Sequence, residues 1–433
     1  MRYAMVTMIE RLLILHQAAG ILKVSPDTIR RWEKKGLIKS FRNPQNHRLF
    51  NLAELERVIA KHQGNGSTAA FKVLKSPKTK HTVIELFSGC GGMALGFENA
   101  GLSAQMLVEI DKNAVATLKK NRPNWNIVSD DIKNVSFKQF AGKVEIVAGG
   151  FPCQAFSYAG KGLGFGDPRG TLFIEFLRAV REVKPKIALG ENVRGLIQHD
   201  GGRTLATMIH YLEEEGYNVV YHLLRAQFLD VAQKRERLII IGVRNDLKIP
   251  HMFPKERDYT VSLRQALKDV PDSAGYEYSK RKFEIMKLIP EGGYWRDLPD
   301  ELQREFMGAS YFHTGGRTGM ARRLSMDEPS LTLTCNPAQK QTERCHPAKN
   351  RPLNVSEYAR IQSFPDDWAF AGTTSSQYRQ IGNAVPVNLA YHVGRGLIQM
   401  LDGKTHPDFI HKKSNDPVDK KSADENQIQL TLA

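Results

Sequence analysis

From position 82 onward, short apolar runs alternate with stretches of helical periodicity. The runs 82–87, 105–110, 144–149, 186–190, 219–224 and 238–243 are five or six residues long and rich in Val, Ile and Leu. Runs of that length predict strands buried on both faces, and the helical stretches between them predict a mostly parallel sheet covered by helices. From 244 to 345 the alternation dissolves into Pro, Gly, Tyr and Arg, which predicts an inserted, loop-rich module. A helical stretch at 355–363 and a last helix, opened by Gly382-Asn383-Ala384-Val385-Pro386 and reaching about Met400, return to the first pattern. The tail, 401–433, is polar and mixed in charge and is expected to be disordered.

Upstream, 9–63 reads as small helices and a hairpin. Ser25-Pro26-Asp27-Thr28 starts a helix with Ser25 as cap and Pro26 in the first turn, and Ile29 and Trp32 share its buried face. Ala18, Ala19, Ile21 and Leu22 supply a preceding helix, 42–48 a hairpin wing, and 52–61 a third helix. Gly64-Asn65-Gly66-Ser67-Thr68 and the basic stretch 72–80 have the composition of a flexible linker. The expected domains are 1–63, a linker 64–80, a first catalytic part 81–243, the inserted module 244–345, a return segment 346–400 and the tail 401–433.

Charge sharpens this division. The 433 residues carry 62 Lys and Arg against 46 Asp and Glu, a net +16. Residues 1–80 hold 16 of those bases and only 5 of the acids, so the excess sits on the small amino-terminal unit and points to a polyanion. Arg30, Arg31 and Lys34 on the Ile29/Trp32 helix, with Arg42 and Arg48 on the wing, are the candidate DNA contacts. Four cysteines without a CxxC pair give no disulfide framework. Cys335 and Cys345-His346 lack the second pair a zinc site needs, so no metal is expected. The apolar run 12–15 follows Glu10 and Arg11 and is too short for a signal peptide or membrane span, giving the expectation of a cytoplasmic protein, associated with the nucleoid through DNA and without membrane partners.

The candidate chemistry lies where strands end. Glu85-Leu86-Phe87-Ser88-Gly89-Cys90-Gly91-Gly92 closes a strand in a glycine turn that opens a helix, letting backbone approach a nucleotide-like ligand. Glu109 and Asp111 follow about twenty residues later, where a carboxylate can hold ribose hydroxyls, and Asp130-Asp131-Ile132 adds a loop on the same edge. Gly150-Phe151-Pro152-Cys153-Gln154 sets a cysteine just past a strand, and Glu191-Asn192-Val193 stands at the end of another. A thiol and a carboxyl on one edge suit addition to cytosine: sulfur adds at C6, the carboxyl at N3 drains charge from the ring, and C5 becomes nucleophilic. Arg235 and Arg237 precede the run 238–243. Read blandly, they are solvated charges before an edge strand. Cys90 reads as a small packing residue.

The order F-S-G-C-G-G (87–92), G-F-P-C-Q (150–154), R-G-T-L-F (169–173), E-N-V (191–193), Q-K-R-E-R (233–237), R-I-Q-S-F-P-D (360–366) and I-G-N-A-V-P (381–386) resembles the bacterial DNA (cytosine-5)-methyltransferases of restriction-modification type, from about 82 to 400. The stretch V-S-P-D-T-I-R-R-W-E-K-K-G-L (24–37) resembles the winged helix-turn-helix of MerR-type and excisionase-type regulators. The resemblance implies an α/β fold: a Rossmann-like S-adenosylmethionine-dependent methyltransferase domain with an inserted target recognition domain, plus a small amino-terminal winged helix-turn-helix. It implies S-adenosylmethionine as methyl donor, contacted by Phe87, Gly89, Gly91, Gly92, Glu109, Ile110, Asp131, Ile132 and Leu172, with Asn383 near its other end. Cys153 would be the nucleophile, Glu191 the group at N3, Arg237 the contact to O2 of a flipped cytosine, and Arg235 a support for that loop. Asn354-Val355-Ser356-Glu357 stands where the family usually has T-V-R-E, which puts one phosphate or scaffold contact in doubt.

The partners so implied are double-stranded DNA, operator DNA for the amino-terminal unit, and a cognate restriction endonuclease. Arginines in the glycine-containing loops at 315–317 and 322–323 would suit groove contacts. Two other readings stay open at this point: a DNA-binding regulator with a degenerate methyltransferase half, and an RNA cytosine-5 methyltransferase.

Overall fold

The computed structural model describes residues 12–21, 29–30, 32–33, 38–43, 48–56, 69–151, 171–312 and 317–413. These fall into two compact units, 1–68 with 257–260, and the rest of the chain.

In the first unit, strand β1 (Leu12–Ile14) leads into the helix Leu15–Ile21, and β2 (Ser40–Arg42) and β3 (Arg48–Asn51) form the expected hairpin. The sheet order is β1-β3-β2, all antiparallel. Leu13, Ala18, Ala19, Ile29, Trp32, Ile38, Phe50 and Leu55 form its core, so Ile29 and Trp32 do share the buried face. Strand β1 shows in the sequence only as a short apolar run; its alternating exposed and buried residues are set by pairing with β3. Arg30, Arg42 and Arg48 are exposed, Arg48 within 3.3 Å of Glu33. Arg31, Lys34 and the wing tip 44–47 lie outside the described residues.

The second unit is built on a seven-stranded sheet of β4 (Thr82–Leu86), β5 (Ser103–Val108), β6 (Ile127–Val128), β7 (Ile146–Gly149), β8 (Ile187–Val193), β9 (Tyr217–Arg225) and β11 (Glu236–Arg244), in the order β6-β5-β4-β7-β8-β11-β9, while β10 (Gln233–Lys234) pairs in parallel with β13 (Ser330–Leu331) outside it. β4 to β8 pair in parallel, and β11 runs antiparallel to both neighbours. The strand after Arg237 is therefore internal, with β9 at the edge. Side chains alternate between two cores. Val83, Ile146, Ala148, Leu189, Ile239 and Ile241 face one, and Ile84, Val147, Ala188, Leu238 and Ile240 the other. Burial on both faces accounts for the nearly continuous apolar runs.

Two helices share the first core. Gly92–Ala100 and Val387–Asp402 approach so closely that a Cβ on Gly96 would lie 2.4 Å from the Ala390 Cβ. The expected flexible linker is corrected over 69–80. Asn388 Nδ2 donates to the Lys72 carbonyl and its Oδ1 accepts from Leu74 N, Ser76 Oγ bonds Tyr391 Oη at 2.8 Å, and the backbone of Ser76 and Thr79 donates to the carbonyls of Asn99 and Gly101. Phe71 packs with Ala232, Val261 and Ala266, the Arg360 guanidinium 5.3 Å from its ring. Lysine-rich composition concealed an extended strap whose backbone groups are satisfied by partners distant in sequence.

The tail is also ordered further than expected. β14 (Phe409–Lys412) pairs antiparallel with β12 (His251–Pro254), and Met252 and Phe253 enter the first core. Ile285, Met286, Ile289, Trp295, Leu298, Met307, Met320, Ala321 and Cys345 give the inserted region a core of its own. Among the described residues no helix is long and apolar enough to cross a membrane.

Candidate active site

β4 ends in the glycine turn, and its end is strained: Phe87 takes φ 59°, a left-handed conformation unusual for an aromatic residue. Gly89 N donates to Glu109 Oε2 at 2.7 Å, while Glu109 Oε1 accepts from the backbone of Ile110 and Asp111 at 2.9 and 2.8 Å. One carboxylate thus locks the turn after β4 to the end of β5. Asp111, expected beside Glu109 as a ribose ligand, instead caps the helix Lys112–Asn121 through Oδ1. Ile110 is 63% exposed, an apolar surface left open next to Glu109.

Asp131 accepts from Lys133 N at the next strand end, and Ile132 beside it is buried. Leu172 is half-buried against the second core. A Cβ on Gly92 would lie 2.2 Å from the Val385 carbonyl, so the return segment carrying Asn383 is pressed against the glycine turn. The expected positions around this edge are brought together by the sheet and by that contact.

Glu85, in the strand before the glycine turn, has no role assigned by the sequence motif. It is 1% exposed, both its carboxylate oxygens lack a hydrogen-bond partner, and burial pushes its pKa well up. An acidic residue inside an otherwise apolar strand is the signal that could have marked it. Cys90 is buried, donates to the Gln380 carbonyl and has its pKa raised by burial, as suits packing rather than reactivity.

The second cluster lies on β8 and β11. Opposite Glu191 stands Ile239, and opposite Val193 stands Arg237, so Glu191 and Arg237 are diagonal neighbours on one sheet face. Their charges meet at 2.7 Å, Arg237 Nε to Glu191 Oε1, with both residues buried. Burial pulls the Arg237 pKa down and Glu191 pulls it back up. Glu191 also borders the cysteine loop: a Cβ on Gly150 would sit 3.1 Å from its Oε2. Asn192 Nδ2 donates to the buried Phe151 carbonyl at 2.8 Å, and the Phe151 ring packs against Phe173 and Phe176. Cys153, two residues further on, lies outside the described residues.

The solvated reading of the arginine pair is overturned. Arg235 is 2% exposed and donates to the carbonyls of Leu333, Gly382 and Ala384. Desolvation pulls its pKa well down, Arg237 adding to this and Glu191 opposing it. Gln233 extends the same junction, accepting from Leu333 N and donating to Gln362. Arg323, expected at a groove, is instead buried and holds the carbonyls of Ile289, Met286, His346 and Lys349. Asn354 and Glu357 form a reciprocal cap on the helix Val355–Ile361, Glu357 also pairing with Arg351, so the departure at 354–357 keeps a scaffold role.

A mostly parallel sheet whose strand ends gather a glycine turn, a carboxylate-locked loop and a buried glutamate–arginine pair is of the Rossmann-like kind that holds a nucleotide-like ligand at its carboxyl edge, and its matches to known proteins make it a methyltransferase. The profile of the C-5 cytosine-specific DNA methylases matches residues 81–399, and that of the MerR family regulatory proteins matches 17–50. The chain is 52% identical to the Type II methyltransferase M.Eco47II of Escherichia coli, over 90% of this chain and 95% of that one. It is 47% identical to the Type II methyltransferase M.Sau96I of Staphylococcus aureus, over 89% and 87%. Among solved structures it resembles a protein described as a DNA modification methyltransferase encoded within an E. coli prophage, with TM-score 0.56, 26% identity, and 75% of this chain and all of that one covered. The chain belongs to the C-5 cytosine-specific DNA methylase family and is a DNA (cytosine-5) methyltransferase.

Proposed function

We propose that this enzyme methylates C5 of a cytosine flipped out of a specific short duplex sequence, by way of a covalent adduct between Cys153 and C6. The observation that carries the reading is the buried Glu191–Arg237 pair on adjoining strands, with Gly150 of the cysteine loop against the same carboxylate. Cytosine C5 is a weak nucleophile until C6 is saturated. The Cys153 thiolate forms a bond to C6, Glu191 supplies a proton at N3, and Arg237 donates to O2, so the ring's electrons are directed to C5. After methylation the C5 proton passes to water acting as base, its electron pair re-forms the C5–C6 double bond and expels the Cys153 thiolate, and N3 returns its proton to Glu191. Such a sequence needs the base out of the stack, because C6 is inaccessible in a duplex.

S-adenosylmethionine, when bound, supplies the electrophilic methyl group. The residues fit that group. Phe87 and Ile110 give apolar surface beside Glu109, a Cβ on Gly89 would meet nothing within 4 Å, and Glu85 is an orphaned carboxyl under the turn. In this reading Phe87, Gly89, Gly91, Gly92, Glu109, Ile110, Asp131, Ile132 and Leu172 hold the nucleoside side and Asn383 the amino-acid end, while 244–345 reads the DNA sequence. Protection of DNA from a cognate restriction endonuclease is the biological role that the relatives' Type II names suggest.

The test is methyl transfer from labelled S-adenosylmethionine to genomic DNA, wild type beside Cys153→Ala, with base-resolution mapping of 5-methylcytosine. Methylation at one recurrent short sequence, absent from the mutant, is the expected result; silence on DNA with activity on RNA would overturn it. A duplex carrying 5-fluorocytosine at the target traps the adduct, because fluorine cannot leave as a proton does. A band stable to denaturation is expected with wild type and not with Cys153→Ala.

The amino-terminal unit is proposed to bind operator DNA through Arg30, Arg31, Lys34, Arg42 and Arg48 and to regulate the system's genes. Its three-stranded wing and the MerR profile match support this. A gel shift on the gene's own upstream DNA checks it, and equal competition by random DNA would reduce the unit to a nonspecific anchor.

A further inference from the structure

Residues 333–335 of the inserted region run along the return segment. The Thr334 carbonyl and Cys335 N would lie 2.3 and 2.9 Å from a Cβ on Gly382, and Arg235 ties the Leu333 carbonyl to those of Gly382 and Ala384. The backbones of Cys335 and Asn383 are thereby held in fixed relation. Across this junction Cys335 Sγ donates to Asn383 Oδ1 at 3.1 Å. Cys335 is exposed, yet enough protein surrounds the sulfur to raise its pKa, against the pull of Arg235 and Arg379. It therefore stays a thiol and keeps its hydrogen to donate.

We propose that Cys335 is a positioning residue for the methyl donor: its S–H holds Asn383 Oδ1 and thereby turns the Nδ2 hydrogens toward an acceptor at the amino-acid end of S-adenosylmethionine. A carboxamide can rotate by half a turn and present oxygen where nitrogen is needed. A donor fixed on Oδ1 removes that ambiguity, and an acceptor-rich carboxylate requires the nitrogen face. The inference rests on reading Asn383 as a cofactor contact. Through residue 335 the inserted region would then help shape the cofactor site as well as the DNA site.

The experiment is steady-state methylation by the full chain carrying Cys335→Ala, Cys335→Ser, Asn383→Ala or the double mutant Cys335→Ala/Asn383→Ala, with S-adenosylmethionine and DNA varied separately and thermal melting recorded for each protein. In Cys335→Ala, KM for S-adenosylmethionine is expected to rise about three- to tenfold, the scale of one neutral hydrogen bond. KM for DNA, kcat and the melting temperature should change little, and Cys335→Ser, which keeps a donor, should return KM to within about twofold of wild type. Asn383→Ala should raise the same KM at least as much, with no further rise in the double mutant. If Asn383→Ala raises it and Cys335→Ala does not, the positioning role is overturned while the cofactor contact stands. If Asn383→Ala leaves it unchanged, the cofactor reading of Asn383 fails and the proposal with it. Equal losses in both KM values and in melting temperature, without rescue by serine, would mark Cys335 as structural and overturn the proposal.

Discussion

Asn192 reaches from the end of β8 to hold the carbonyl of Phe151 at 2.8 Å, inside the protein. The cysteine loop therefore departs from an anchored point next to Glu191. Asn192→Ala leaves that carbonyl unpaired, a loss of about 1–3 kcal/mol of stability. Displacing a nucleophile by an ångström costs up to about 100-fold in rate. We expect kcat to drop by at least about tenfold with KM for S-adenosylmethionine nearly unchanged, as measured by methyl transfer at saturating DNA.

Gly96→Ala tests the close approach of the two helices. The added methyl would meet the Ala390 Cβ at 2.4 Å and the Val387 carbonyl at 2.5 Å, and neither can move without moving its helix. Overpacking of this kind costs about 1–3 kcal/mol or more. A lowered melting temperature is expected, with activity at low temperature falling less than stability because the Glu191–Arg237 pair sits on β8 and β11 rather than on either helix.

Arg235→Met keeps length and apolar bulk but withdraws the donors from the carbonyls of Leu333, Gly382 and Ala384. A buried carbonyl left without its donor costs about 1–3 kcal/mol, offset in part here by the relief of the guanidinium's own desolvation. Chemical denaturation of this variant should show that loss, and Arg235→Lys should recover only part of it because one ammonium cannot reproduce the planar fork. A stability equal to wild type would sink the hub role assigned to this side chain.

Acid should loosen the base of the sheet. His81 is buried between Glu145, 2.7 Å from Nδ1, and Asp402, 2.9 Å from Nε2. His81 bonding holds the Asp402 pKa below the ordinary carboxylate value. For Glu145, burial works upward but is outweighed by Lys186 and His81, leaving its pKa lowered as well. A carboxylate whose folded pKa is depressed stabilises the protein above its unfolded pKa, and that contribution is lost as pH falls through the folded value. Melting temperature should fall from about pH 4 downward, and the gap between wild type and Asp402→Asn should close over the same range. A gap that persists at pH 3 would show that the carboxylate's charge is not what matters.

Much of this was legible because the sheet is buried on both faces: six apolar runs match six of its strands, and the candidate residues just past them, where described, lie at neighbouring strand ends. The missing strand, Ile127–Val128, is two residues long at the sheet's margin, too short to imprint a pattern. The burial of Arg235 and Arg237 was less legible than the role the family resemblance implies for them, since guanidinium groups suggest water until their carbonyl and carboxylate partners are known. Asp111 looked like a ligand because capping and ligand binding ask for the same side chain at a strand-to-helix turn. Pairing of Phe409–Lys412 with His251–Pro254 joins positions about 160 residues apart, and no local pattern encodes a pairing across such a distance.

The strap at 69–80 changes where the enzyme can be cut. A shortened protein beginning at Thr82, where the first catalytic strand starts, would strip Asn388 of the Lys72 carbonyl and Leu74 amide it holds, deprive Tyr391 of Ser76 and uncover the apolar seat of Phe71. One beginning at Ala69 keeps all of these. Residues 69–80 therefore belong to the catalytic body rather than to the amino-terminal unit, and an exchange of that unit leaves the contacts of Asn388, Tyr391 and Phe71 intact only when the join is made upstream of Ala69.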